Sequence, residues 1–211
     1  MYVLAVDVGT LSARAGLFDL QGTLIAAQSA SFDLKRPADG QAVYVMDEIW
    51  SAVCSAARGV VAHTPGEQVL GLAFDAASSL VLSAIGGSPL DGNADVLCWM
   101  DHRGEREAED IGASGDRYLD YVGGTLCLEM HLPKLLWLKR HRPDAWQRLR
   151  AVRDLCDELG FRATGVDRHS VCWRAAHDAA YRVYLKLFTV RNEIERLSRD
   201  DVERFTTMGV T

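Results

Sequence analysis

The N-terminal part of the chain holds three short apolar runs joined by tight turns, and this pattern limits the fold more than any other feature of the sequence. The runs are 2–7, 14–19 and 23–32. Turn-forming residues lie between them, around Gly9 and Gly22. Three strands joined in this way predict an antiparallel meander at the start of the chain.

After the meander the pattern alternates between helix and strand and then becomes helical. Apolar spacing predicts helices at 47–62, 103–111, 132–141, 143–149 and 152–159. Short apolar runs predict strands at 69–74, 79–85 and 96–99. Asp47 is the expected N-cap of the first helix, and Gly160 is expected to end the last. The wholly apolar run 69–74 is typical of a central strand in a covered sheet. This order implies an α/β domain with a mixed sheet.

Apolar side chains recur every three or four residues from Ala180 to Leu197. This spacing predicts a C-terminal amphipathic helix with a wide apolar face, which needs a partner surface. Three arrangements remain open: packing on the chain's own domain, pairing with a second chain as in a coiled coil, or disorder. The second would make the protein a homo-oligomer through its tail helix.

Composition excludes several classes of partner. The 211 residues carry a net charge of −6 with both signs interspersed, so no basic face is available for nucleic acid. No apolar run approaches the roughly 20 residues of a membrane span. The cysteines are odd in number and form no C-x-x-C pair, which predicts buried thiols in a reducing compartment. They are Cys54, Cys98, Cys127, Cys156 and Cys172. We expect a cytoplasmic protein.

The turn between the first two strands carries the first chemically informative residues. Gly9 lets backbone N–H groups approach an anion closely. The hydroxyls of Thr10 and Ser12 can donate to phosphate oxygens, and Arg14 offers a charged fork. Asp7 could hold Mg²⁺ through water. The alternative is a plain β-hairpin whose polar residues satisfy a turn.

The octapeptide D-V-G-T-L-S-A-R at 7–14 resembles the phosphate hairpin of actin-like ATPases. Three longer blocks follow: D-A-A-S-S-L-V at 75–81, C-W-M-D-H-R at 98–103 and E-M-H-L-P-K-L-L-W-L-K at 129–139. Their order and spacing are similar to those of the FGGY carbohydrate kinases, with the ribulokinase-like subgroup the nearest. The resemblance covers about residues 2–172. It implies an actin-like ATPase (ribonuclease H-like) domain with a mixed sheet and flanking helices.

The same resemblance implies ATP-dependent phosphorylation of a sugar hydroxyl, with a pentulose such as ribulose or a related polyol as substrate. The hairpin residues named above would face the transferred phosphate and its metal. Ala76 and Ala77 would lie against the sugar, although relatives usually carry Thr at the second position. Trp99 would form an apolar wall, or alternatively fill the core. Asp101 and Glu129 would accept sugar hydroxyls.

Beyond residue 172 the sequence departs from the family pattern. The expected organisation is an N-terminal sugar-binding domain at 1–172, a junction at 173–178, a helix at 179–200 that resembles the last helix of the family, and a tail at 201–211. No residue matches the family's general base or adenine site, so no catalytic residue is identified. We therefore expect weak or absent Mg-ATP binding and an inactive chain. Whether this chain is an enzyme stays open; the alternative is a non-catalytic sugar-binding remnant or a self-associating module.

Overall fold

The computed structural model describes residues 1–64 and 69–166, together with the backbone of a two-residue strand at Val171–Cys172. Residues Met1–Ser170 form one compact unit. The predicted tail helix at 179–200 lies outside the described residues. No helix in the described part of the chain is long and apolar enough to cross a membrane.

The first sheet begins with the expected meander. Strands β1 (Tyr2–Val8), β2 (Ser12–Asp19) and β3 (Leu24–Ser31) pair antiparallel in sequence order. Strand β5 (Val69–Ala76) joins β1 in parallel, and the order is β3-β2-β1-β5. The predictions of an antiparallel meander and of a mixed sheet are both confirmed.

Helix α1 (Met46–Val61) packs on this sheet and builds the main core. Period-two alternation in the strands and the helical period in α1 select the buried side chains. From β1 they are Leu4, Val6 and Val8, from β2 Ala13, Ala15 and Leu17, and from α1 Met46, Ile49, Ala52, Val53, Ala56 and Val60. This core fixes the end of β1, where the candidate phosphate hairpin begins.

The prediction that Asp47 is the N-cap of α1 is wrong. Asp47 lies in the first turn, Val45 occupies the cap position, and Val45 makes no side-chain cap bond. Instead, Met46 N donates to Asp95 Oδ1 at 2.7 Å. The acceptor comes from a distant segment, so local sequence could not reveal it.

A second, antiparallel sheet has the order β4-β7-β6-β8. Its strands are β4 (Val43–Tyr44), β6 (Leu80–Ala84), β7 (Val96–Leu97) and β8 (Leu149–Asp154). Strand β9 is the pair Val171–Cys172. Two short 3₁₀ turns occur at Asp91–Asn93 and Arg117–Tyr121.

The other helices in the described part of the chain are α2 (Glu105–Gly112), α3 (His131–His141), α4 (Pro143–Arg148) and α5 (Leu155–Thr164). The predicted helix at 152–159 is wrong in its first three residues, because β8 continues to Asp154. A short apolar run cannot be assigned to helix or strand from its period alone, and here β6 supplies the strand partner. Helix α5 ends at Thr164 and not at Gly160. It is capped by Gly165, whose φ of 67° is the left-handed conformation typical of a C-cap.

Two further expectations are corrected. Strand β5 lies at the edge of the first sheet, and Leu70 and Leu72 are 51% and 45% exposed, so the apolar run was a strand but not a covered central one. Among the four described cysteines only Cys98 is buried, while Cys127 is exposed.

Candidate functional site

The turn between β1 and β2 is closed by Gly9 N donating to Ser12 O at 3.0 Å. Asp7 and Arg14 are direct partners in the ladder. Their side chains form an ion pair, with Arg14 Nη2 2.6 Å from Asp7 Oδ2, and both stay about half exposed. The hairpin therefore exposes to solvent the Asp7 carboxylate, whose charge is balanced by Arg14, and part of the Arg14 guanidinium.

Asp75 is a site residue that the sequence interpretation did not single out. Parallel pairing places Asp75 beside Asp7, so that Arg14, Asp7 and Asp75 form a row across three strands. All three line a shallow cavity of about 370 Å³. The sequence did contain a hint of this pairing, because Asp7 and Asp75 each follow an apolar run that forms a strand.

The charges and oxygen atoms of this row can be compared with what a magnesium ion needs. Mg²⁺ takes one or two carboxylates and keeps several waters. Asp7 and Asp75 supply two carboxylates against the single charge of Arg14, which leaves one negative charge for a cation. The described residues contain no cluster of three or more metal-ligating side chains. The donor set thus fits a largely hydrated Mg²⁺.

The hairpin is linked directly to Trp99. Trp99 Nε1 donates to Thr10 Oγ1 at 3.2 Å, and Trp99 N donates to Ser79 Oγ at 3.2 Å. The hydroxyl of Tyr44 donates to Thr10 O at 2.9 Å. Trp99 is partly buried and packs against the main core, and the bond to Thr10 anchors the N–H edge of its ring.

Asp101 is 0% exposed, and both of its carboxylate oxygens accept hydrogen bonds from protein donors. Oδ2 accepts from Ala42 N at 2.7 Å and from Arg103 Nη2 at 2.8 Å, and Oδ1 accepts from Arg103 Nε at 2.7 Å. The Arg103 guanidinium also lies 4.8 Å from the centre of the Trp137 ring. This geometry gives Asp101 a positioning role for the segment after Trp99; direct contact with a sugar stays a prediction.

Lys134 is a buried lysine that the sequence interpretation missed. Its Nζ donates to Cys98 O at 2.8 Å, to Trp99 O at 2.7 Å and to Glu129 O at 3.1 Å. Burial lowers the pKa of Lys134 to about 8, although nearby carboxylates such as Asp101 act in the opposite direction. All three ammonium protons are used, so Lys134 joins the Trp99 segment to the Glu129 segment.

The remaining predicted sugar-side residues lie beside these anchors. Ala77 N donates to Val8 O at 2.9 Å, which holds the end of β5 against the start of the hairpin. Ala76 is partly buried at the end of the same strand. Glu129 is exposed, and in the described part of the chain its carboxylate has no hydrogen-bond partner. That carboxylate can therefore accept from a ligand.

A Ser–His–Asp cluster connects the end of β5 with α3 and α5. Ser78 Oγ donates to Asp154 Oδ2 at 2.8 Å and lies 3.3 Å from His131 Nε2. Asp154 Oδ1 accepts from Cys156 N and so caps α5. Burial lowers the pKa of His131, an effect that Asp154 opposes and Lys134 reinforces. Ser78 and His131 lie in two of the family blocks, but the three residues are distant in sequence, and no motif indicated that they meet.

Comparison with known proteins gives a consistent pattern. The model of the FGGY family of carbohydrate kinases, N-terminal domain, matches residues 2–172. A D-ribulokinase of Saccharomyces cerevisiae is 35% identical over 181 residues, which is 81% of this chain and 25% of that protein. A human FGGY carbohydrate kinase domain-containing protein is 36% identical over 178 residues, which is 81% of this chain and 32% of that protein. The chain thus spans between a quarter and a third of the length of these curated relatives.

Solved structures agree on the fold. A xylulose kinase from Rhodospirillum rubrum superposes with a TM-score of 0.68 at 21% identity, covering 76% of this chain and 33% of that one. A sugar kinase from Brucella ovis, described as a xyloylose kinase, gives 0.68 at 23% identity, covering 76% and 34%. At this identity the likeness establishes the fold.

Proposed function

Since this chain belongs to the FGGY family of carbohydrate kinases, we propose that it forms the sugar-binding part of an ATP-dependent kinase acting on a pentulose such as ribulose or a related polyol. The observation that carries the proposal is the hydrogen bond between Trp99 and Thr10, which joins the candidate sugar wall to the candidate phosphate hairpin. A kinase needs these two surfaces side by side, because the phosphoryl group moves between them.

On the sugar side, the accessible part of Trp99 offers a flat apolar surface for the carbon skeleton. Glu129 has an unpaired carboxylate that accepts a sugar hydroxyl, and Ala76 and Ala77 leave room for the ring or chain. Lys134 and Asp101 act through other residues, since they fix the backbone on either side of Trp99.

On the phosphate side, Gly9 shapes the turn with its own N–H bonded to Ser12 O. The hydroxyls of Thr10 and Ser12 and the guanidinium of Arg14 are the donors proposed for the transferred phosphate. Asp7, through water, and its neighbour Asp75 would hold Mg²⁺. When bound, the ion supplies positive charge that stabilises the transferring phosphate.

For the 211-residue chain alone we propose sugar binding without turnover. General-base catalysis is worth about 10²–10⁴-fold, and no described residue near Glu129 or Trp99 matches that role by sequence motif. Alignment and closure over ATP also need surfaces outside the matched region. A cytoplasmic location and self-association through the segment 179–200 belong to the same proposal; that segment lies outside the described residues.

The test is ligand-dependent thermal stability of the purified chain with D-ribulose, L-ribulose, D-xylulose and the matching polyols. At saturation near a hundred times Kd, a bound sugar stabilises the fold by about 2.7 kcal/mol. Glu129→Gln should weaken the affinity by about tenfold, the value of one hydrogen bond to a charged group. Glu109→Gln, an exposed carboxylate on α2, is the matched control and should leave the affinity unchanged.

A coupled ADP-release assay with Mg-ATP completes the experiment, and it should show no turnover. Turnover that disappears in Asp7→Ala would contradict the proposed inactivity and would establish an ATP site on this chain. If none of the pentuloses or polyols stabilises the protein, sugar binding itself is excluded.

A further inference from the structure

The cluster of Ser78, His131 and Asp154 adjoins the candidate sugar site on two sides. Ser78 follows Ala77 directly, and His131 lies two residues after Glu129 at the start of α3. Ser78 is exposed, and the side chain of His131 keeps 29% of its surface accessible. The contact between Ser78 and His131 brings these two segments together, so a ligand lying over Ala77 and Glu129 would lie beside the cluster.

The hydrogen bonds fix the proton on His131. A serine hydroxyl has one hydrogen, and an ionised carboxylate only accepts, so the hydrogen of Ser78 goes to Asp154. Ser78 Oγ can then only accept from His131, which requires that Nε2 carries the proton. In a neutral imidazole with Nε2–H, Nδ1 is an acceptor. Within the described residues Nδ1 has no hydrogen-bond partner.

The ring is held in this neutral form by its surroundings. Burial favours the neutral imidazole and lowers the pKa of His131 below its ordinary value. Asp154 opposes this shift, with its Oδ2 3.7 Å from Nε2, while the Lys134 ammonium reinforces it. The cluster thus supplies a pre-oriented acceptor.

We propose that His131 Nδ1 accepts a hydrogen bond from a hydroxyl of the bound ligand and that Ser78 and Asp154 lock the tautomer that makes this possible. The ligand class follows from the charges around it. Glu129 and Asp154 are carboxylates and His131 is an acceptor, so this side of the site suits a neutral polyhydroxyl chain and repels a sugar acid. The inference deepens the proposed function and rests on it.

The decisive variant is His131→Gln. A glutamine amide N–H can replace Nε2–H toward Ser78, but it offers nothing at the position of Nδ1. We expect the affinity for the best-binding pentulose or polyol to fall about tenfold, as for the loss of one hydrogen bond to a polar ligand, with thermal stability retained. His63→Gln, an exposed histidine after α1, is the matched control and should bind as the parent does.

Nitrogen NMR of the imidazole shows which tautomer His131 adopts, and it needs no bound sugar. In the parent protein at neutral pH, His131 should be in the Nε2–H tautomer, and Ser78→Ala should mix the two tautomers. A dominant Nδ1–H tautomer in the parent protein overturns the inference, whatever the protein binds. An aldonic acid of the same chain length should bind more weakly than the polyol; equal or tighter binding of the acid also overturns it.

The two proposals fail in different ways. Unchanged affinity in His131→Gln, with the parent protein binding normally, rejects the role of His131 and leaves the proposed function standing. If the parent protein binds no pentulose or polyol, the proposed function fails and the hydroxyl-accepting role fails with it.

Discussion

Lys134 places an ammonium group at a position with 0% exposure, where three carbonyls replace water. A buried charge is costly unless each donor is satisfied. Here each proton has an acceptor, and two of the acceptors belong to Trp99 and Glu129. Lys134 therefore contributes to the geometry of the candidate site more than to net stability.

The pH dependence of folding tests this placement. The pKa of Lys134 is about 8 in the folded protein and 10.5 for an ordinary lysine. Between these values the unfolded chain binds more protons, so the unfolding free energy rises with pH, and below pH 8 the cost of burying the charge is fully present. We expect a gain of about 3 kcal/mol across this window.

Urea denaturation at pH values spanning the window measures the gain. Lys134→Met should lack it, because no titratable group remains at this position. Lys139→Met, an exposed lysine in the last turn of the same helix, should keep the parent's slope. Identical slopes for the parent and Lys134→Met would show that the ammonium is not buried in solution.

At the scale of elements, α2 and α3 approach each other closely at Gly104, the N-cap of α2. A Cβ at Gly104 would lie 2.8 Å from the backbone C and O of Pro133, within the first turn of α3. Backbone atoms cannot turn away as a side chain can. This close approach sets the position of α3, which carries both His131 and Lys134.

We expect Gly104→Ala to lower the unfolding free energy by about 1–3 kcal/mol, the usual cost of overpacking. Gly112→Ala is the matched control on the same helix. A Cβ there meets nothing within 4 Å, so alanine should stabilise α2 by about 0.4–1 kcal/mol. Chemical denaturation measures the unfolding free energy of both variants. Equal changes in the two would rule out a packing constraint at Gly104.

At the scale of the whole molecule, the edge strands of the first sheet leave large apolar side chains in solvent. Leu24 on β3 and Leu70 on β5 are 53% and 51% exposed. An exposed apolar edge strand favours association with other chains, and lysine on such an edge suppresses it.

We therefore expect the mass of the parent protein in light scattering to rise with concentration. The double variant Leu24→Lys, Leu70→Lys should have a mass closer to that of a monomer. Ile85→Lys, which removes an equally exposed apolar side chain outside both sheets, should behave as the parent does. A parent mass that stays constant over a wide concentration range would count against self-association. The tail segment proposed earlier as a self-association surface remains a separate prediction.

Much of the fold and part of the site could be predicted from sequence. The meander, α1 and the hairpin from Asp7 to Arg14 depend on local patterns: apolar runs, tight turns and helical spacing. The family followed from ordered blocks such as the one at 98–103, and the family match at 2–172 confirms it. The same local logic misassigned the start of 152–159, because a short apolar run fits a strand as well as a helix until a partner strand is known.

The sequence alone determined most of the strands and helices and the family they build, because those outcomes depend on periodicity and motif order. Only the tertiary structure decided which distant groups meet. Asp95 caps α1, Asp75 lies beside Asp7, and Lys134 reaches the carbonyls of Trp99 and Glu129. These contacts form when strand register and helix packing bring separate segments together. A local sequence pattern does not show which distant residues will become neighbours.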